Sequence, residues 1–313
     1  MPFLVTILII LGLYLLLILG PALTAAVIVF RRSPVMGLEE ICGTEEFAPY
    51  AAALQSAEKT LSLLSPTRVT VRAADNTELC ADYYDRHAGK TVILLHGYRS
   101  DPMVNFALQA ECFAAHGWNV LLVSQRAHGV SGGKRTCFGL KEQFDLENWV
   151  RWAASQPESP RIAVYGISMG AATAAYASDK LDPAVVRCLI PDCGFTSPYL
   201  QLLQECRRRH LPGFLLMPLI RLFARLFYGF DIRTPVTDAL SRTEIPAFFL
   251  HGTADETVPY AQGVTNYEAC ASPRKVLFSA EGAGHTLAFP AERERAETEL
   301  FRFLQDACGF ENT

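Results

Sequence analysis

The longest apolar run in the chain covers residues 3–30, which carry no charged side chain and end abruptly at Arg31-Arg32. At ~1.5 Å per residue this run would reach about 42 Å as a helix, more than the ~30 Å of bilayer hydrocarbon. The pattern therefore predicts one transmembrane helix, tilted or bent near Gly20-Pro21, and an anchor at 1–33. A cleaved signal peptide with small residues at 22–26 is the competing reading. It lacks a basic leading segment, and the run outlasts a typical signal core.

Residues 34–65 read as a connector with one amphipathic helix near 49–64. Beyond it the period changes. Alternating stretches at 68–72 and 79–84, separated by Asp75-Asn76, predict an antiparallel hairpin. Four short unbroken apolar runs at 91–95, 120–124, 162–165 and 186–190 read as buried parallel strands, and two more follow at 247–250 and 275–278. Helical patterns near 103–116, 143–155 and 169–180 lie between them. Strands alternating with helices predict an α/β domain at 66–313 with a doubly wound, mostly parallel sheet. Ligands in such sheets bind beyond the C-terminal strand ends.

One stretch interrupts the alternation: residues 197–241 are too long for a connection and read as a helical cap insertion. Within it, 211–230 is strongly apolar, broken by Pro212, Gly213 and Pro218, preceded by Arg207-Arg208-Arg209 and carrying Arg221 and Arg225. Such a segment is either a lid on the sheet edge or an element resting in the membrane interface beside the anchor.

Charge and cysteine content narrow the partners. A net charge of −4 without a basic stripe argues against nucleic acid. The two arginines after the apolar run favour a single-pass protein of the cell membrane with its catalytic body in the cytoplasm. The nine cysteines are odd in number and show no C-x-x-C pair, which suits buried thiols. No feature sets an oligomeric state.

The chemistry starts at Gly166-Ile167-Ser168-Met169-Gly170, directly after the third buried parallel run. A serine on a tight strand-to-helix turn is forced into a strained conformation with its hydroxyl exposed, and the flanking chain comes so close that only glycine fits. Activation needs a base and an acid that fixes the base's tautomer. Asp255, on a turn after a late strand, and His285, in a glycine-rich loop after the last, supply them in the order Ser, Asp, His. Glu256 is the rival acid, and His251 reads as structural. Two backbone N–H groups must face the developing oxyanion. Met169, just after the nucleophile, and Tyr98, after the first parallel strand, are the expected donors. No cofactor or metal is called for.

Other motifs are weaker. Gly129 to Lys134 is one residue short of a phosphate loop, and Arg135 replaces the hydroxyl residue. His96 and Asp101 fit an H-x-x-x-x-D acyl-transfer pattern, and Cys193 is a nucleophile only if a base lies beside it.

With these pieces together the chain resembles the α/β-hydrolase superfamily over roughly 66–310. Gln125-Arg126-Ala127-His128-Gly129-Val130-Ser131-Gly132-Gly133 and Asp192-Cys193-Gly194-Phe195-Thr196-Ser197-Pro198 resemble the membrane-anchored bacterial branch related to prolyl-oligopeptidase-type serine hydrolases. Ser124-Gln125 departs from relatives that carry an aspartate before the arginine. The resemblance implies a serine hydrolase with Ser168 as nucleophile, Asp255 as acid, His285 as base, and Tyr98 and Met169 as oxyanion donors. The expected reaction is cleavage of a small-molecule or lipid-like carboxylic ester through an acyl-enzyme. A peptidase or amidase, an acyltransferase, and a non-catalytic binding protein of the same fold are the alternatives.

Overall fold

The structure, a computed structural model, describes residues 2–157 and 161–310. It divides into two compact units. The larger combines Arg32–Thr196 with Val236–Thr313, and the smaller combines Met1–Arg31 with Ser197–Pro235.

The larger unit is built on one sheet of eight strands: β1 (Thr67–Arg72), β2 (Glu78–Tyr84), β3 (Lys90–Leu95), β4 (Asn119–Ser124), β5 (Arg161–Ile167), β6 (Val186–Asp192), β7 (Ala247–Gly252) and β8 (Lys275–Ala280). Their spatial order is β1-β2-β4-β3-β5-β6-β7-β8. The hairpin β1–β2 joins β4 antiparallel, and every pairing from β4 to β8 is parallel. This is the mostly parallel α/β sheet expected from the apolar runs. β3 and β4 are buried along their whole length and β5 at all but its first residue, because helices cover both faces. The chain turns from β3 to β4 on one side and then crosses back to β5 on the other. The crevice between the ends of β3 and β5 is thus the switch point where such sheets bind ligands.

The connector belongs to this unit. Its helix Ala51–Ser62 buries Leu54, Ala57 and Leu61 and packs on the helix Pro102–Ala115. The loop after β4 is tied down by Arg126, whose guanidinium holds Asp145 through two bonds of 2.6 Å and Asp75 through one of 2.9 Å. Arg126 and Asp145 are both buried. Asp145→Ala is expected to destabilise the protein by about 3 kcal/mol, since it strands a buried cation with only half-exposed Asp75 as partner. A thermal midpoint unchanged from wild type would refute this.

In the smaller unit, Pro2–Phe30 forms one helix, a candidate membrane span by length and composition. Its turn at Leu15–Leu19 is widened to the π form, with the Gly20 N–H bonding the Leu15 carbonyl. Pro21 explains this: it has no N–H for the carbonyl four residues earlier and its ring crowds it. The rest of the unit comprises helices Pro198–Arg208 and Gly213–Phe223 and a second widened turn, Ala224–Tyr228, closed by Gly229 at φ 72°. The helix Gly213–Phe223 packs along Gly20–Phe30, and the Phe30 ring meets Tyr228 edge-on at 5.2 Å and Phe230 at 5.5 Å. The insertion and the N-terminal helix therefore form one body, although more than 160 residues of sequence separate them.

Candidate active site

Ser168 follows β5 directly and caps the helix Met169–Ala177 with φ 54° and ψ −109°, a conformation held only where the surroundings enforce it. Both flanking glycines are sterically required. A Cβ on Gly166 would overlap the Gly170 carbonyl, and one on Gly170 would overlap the Leu95 carbonyl of β3. The strained turn thus lies pressed between the ends of β3 and β5.

His285 and Asp255 reach this turn from the loops after β8 and β7. The Ser168 hydroxyl lies 3.1 Å from His285 Nε2, and His285 Nδ1 lies 2.7 Å from Asp255 Oδ2. Asp255 is buried, while His285 keeps one side open. The other Asp255 oxygen accepts backbone N–H bonds from Thr257 and Val258, each 2.8 Å. Burial alone would push the Asp255 carboxyl up, but hydrogen bonds from His251 and His285 and that of Val258 hold it well below the usual range. It is a fixed anion. His251 donates from Nε2 to the Val258 carbonyl at 2.9 Å and faces Asp255 at 3.4 Å, so this residue braces the acid's turn.

The loop after β3 runs beside the serine: a Cβ on Gly97 would lie 3.5 Å from Ser168 Cβ. Tyr98 follows it, stacked on Phe138 at 4.8 Å. Met169 is fully buried at the first turn of its helix, where backbone N–H groups have no partner within the helix. Ser168, His285 and Asp255 are therefore in contact at one end of the sheet, with Met169 directly after the serine and Tyr98 directly after Gly97.

Sequence reasoning missed what holds the Tyr98 loop. His128 Nε2 accepts the Arg99 N–H at 3.0 Å, and His96 Nε2 accepts the Gln125 N–H at 3.0 Å. Both roles need neutral rings. Burial secures them, pushing His96 down to about 3 and His128 down to about 4. Ring nitrogens used as acceptors leave no periodic trace in a sequence. The H-x-x-x-x-D pattern dissolves, because Asp101 caps the helix Pro102–Ala115 through the Met103 N–H. The glycine-rich stretch 129–133 is the inverse of a phosphate loop. Its Gly129, Ser131 and Gly133 carbonyls converge on the guanidinium of Arg32, with Ser131 at 2.6 Å.

Asp192, at the C-terminal end of β6, was also missed. It is fully buried and accepts the Tyr165 hydroxyl at 3.0 Å. Burial pushes its carboxyl up to about 6 despite the pull of Tyr165, His251 and His285. Below about pH 6 the acid here is neutral and spares Asp255 a second buried anion. Since the folded value exceeds the ordinary ~3.9, Asp192 contributes stability at pH below about 4 and loses it as pH rises through about 6. Asp192→Asn is expected to gain on wild type by on the order of 2–3 kcal/mol between about pH 4 and pH 8. Urea midpoints of the two proteins that stay parallel over that range would exclude this. Next to it, Cys193 is buried and its thiol is pushed far up, so it is held as the neutral form. Its sulfur, Asp255 and His285 offer donor atoms within 4.8 Å of one another, as do Cys112, His116 and Glu297 elsewhere. At the first cluster the acid and imidazole are already bonded to each other.

Comparison with known proteins decides the family. Residues 46–217 match the family model described as X-Pro dipeptidyl-peptidase (S15 family). The chain belongs to the S15 family. This S15-family α/β-hydrolase is 31% identical over 225 residues to YqkD, an uncharacterised protein of Bacillus subtilis, covering 69% of this chain and 71% of that one. It is 28% identical over 170 residues to the alpha/beta hydrolase domain-containing protein 17C of Mus musculus, covering 53% of this chain and 45% of that one. Among solved structures it matches the Pyrococcus furiosus esterase Pf2001 with a TM-score of 0.67 and 28% identity, over 80% of this chain and 94% of that one. Est1E of Butyrivibrio proteoclasticus, solved with ferulic acid, shares the fold at a TM-score of 0.59 and 17% identity, over 77% of this chain and 100% of that one. The S15-family chain is accordingly a serine hydrolase of α/β fold.

Proposed function

We propose that the chain is a carboxylic ester hydrolase acting through an acyl-enzyme on Ser168. The observation that carries this is the strained Ser168 with its hydroxyl 3.1 Å from His285 Nε2. His285 Nε2 takes the hydroxyl proton as Ser168 Oγ attacks the ester carbonyl, and Asp255 steadies the imidazolium. The Met169 and Tyr98 N–H groups hold the oxyanion. His285 then protonates the leaving alcohol, and a water activated by the same imidazole releases the acid. The resemblance to an esterase at 28% identity supports an ester as substrate.

A second reading is peptide cleavage, which the S15 model itself favours. Amide hydrolysis adds the demand that His285 protonate an amine. The test is labelling with a fluorophosphonate, followed by a panel of esters of rising chain length and of aminoacyl-prolyl amides. Labelling is expected on Ser168 alone, with kcat/KM higher for esters. Absence of labelling sinks the hydrolase mechanism, and amides turned over as fast as esters would favour the peptidase.

Arg31 and Arg32 and the nine free thiols support a cytoplasmic body. Protease added to intact cells is then expected to leave the body uncut, and digestion from outside would reverse the assignment.

A further inference from the structure

The insertion presents an apolar surface that its own unit leaves uncovered. Phe214 is 78% exposed, Leu226 69% and Phe227 62%, with Leu211 and Leu222 beside them in sequence. What lies against this surface follows from the helix it packs on. Pro2–Phe30 is longer than the ~20 residues that cross hydrocarbon, so wherever the membrane sits along it, residues 11–21 lie inside. The helix Gly213–Phe223 contacts the turn Leu15–Leu19, within that obligatory stretch. Any bilayer that accepts the N-terminal helix therefore also meets the insertion.

The charges agree with such a seat. Across residues 211–230 the only charged side chains are Arg221 and Arg225. Arg221 is neutralised by Asp231 through bonds of 2.8 and 2.6 Å, and Arg225 lies 3.9 Å from the same carboxylate. Pairing is the arrangement that lets ions approach hydrocarbon. Arg207, Arg208 and Arg209 are exposed at the end of the preceding helix, just before Leu211, with Arg208 3.3 Å from Glu205 and Arg209 bonded to the same carboxylate; basic side chains beside an apolar face suit lipid phosphates. Helical backbone over Gly213–Tyr228 satisfies most of its own N–H and carbonyl groups, as hydrocarbon demands, with a break at Pro218.

We propose that residues 211–230 lie in the bilayer leaflet beside the N-terminal helix, and that the ester cleaved at Ser168 is drawn from that leaflet as a lipid-borne acyl ester. The second half rests on the ester-hydrolase reading. Chain connectivity links the two halves. The insertion leaves the hydrolase unit after Thr196 and returns at Val236, whose N–H bonds the Thr196 carbonyl at 2.8 Å. This neck follows β6, at the sheet end that carries Ser168, Asp255 and His285.

The test uses the full chain in vesicles of phosphatidylcholine with phosphatidylglycerol. All three native tryptophans, Trp118, Trp149 and Trp152, belong to the hydrolase unit, so Phe214→Trp and Phe227→Trp add local reporters. Acyl-brominated lipid is expected to cut the added fluorescence at least about twofold, with aqueous acrylamide having little effect. The converse pattern, or shielding from both quenchers accompanied by self-association, overturns the location. For the substrate, Phe214→Asp combined with Phe227→Asp is expected to leave turnover of a soluble short-chain ester within about twofold and to lower that of a vesicle-borne long-chain ester at least about tenfold. Equal loss on both substrates overturns the lipid-borne assignment. A wild type inactive on every ester refutes the hydrolase reading instead, while the quenching result still reports where the insertion sits.

Discussion

Alanine at Ser168 is expected to lower kcat for an ester by on the order of 10⁶-fold, with the fold and thermal midpoint unchanged. The size follows from the array acting as a unit. Without the hydroxyl there is no acyl-enzyme, and His285 has no serine proton to take, so only the N–H donors and binding contribute. His285→Ala should cost about as much, and the double variant little more than either alone. Asp255→Asn should fall about 10⁴-fold, because the amide favours the wrong imidazole tautomer. Stopped assays against an activated ester measure all four. Losses that multiply in the double variant would mean that serine and histidine work separately, against the 3.1 Å contact between them.

Gly170→Ala is expected to have the largest effect on stability, above about 4 kcal/mol or outright failure to fold. Its methyl group would occupy the position of the Leu95 carbonyl, which is backbone at the centre of the sheet and cannot yield. Gly89→Ala is the control, since nothing lies within 4 Å of a Cβ there. It should stay within about 0.5 kcal/mol of wild type. Equal thermal midpoints for Gly170→Ala and wild type would show that the helix can move off β3, and the glycine would then be explained by conformation alone.

The local parts of the site are legible in the chain. Gly166 and Gly170 announce a close approach, and the apolar runs before Ser168, Asp255 and His285 place all three at strand ends. Two features are not legible for a common reason. Asp192 looks like any acid closing a strand, and only the packing that buries it raises its carboxyl up to about 6. His128 looks like a loop residue, and only the folded loop brings it to the Arg99 N–H. The pairing of the N-terminal helix with the helix Gly213–Phe223 is harder still, since both are strongly apolar and neither marks its partner.

The hydrogen-bonded neck between Thr196 and Val236 has an evolutionary consequence. Two chain ends that meet as neighbours can be rejoined or given a different excursion without shifting the register of β6 against β7. Selection can therefore replace the excursion wholesale while Ser168 keeps its surroundings. Diversity among relatives of this chain should accordingly concentrate between these two residues, with new habitats for one unchanged chemistry.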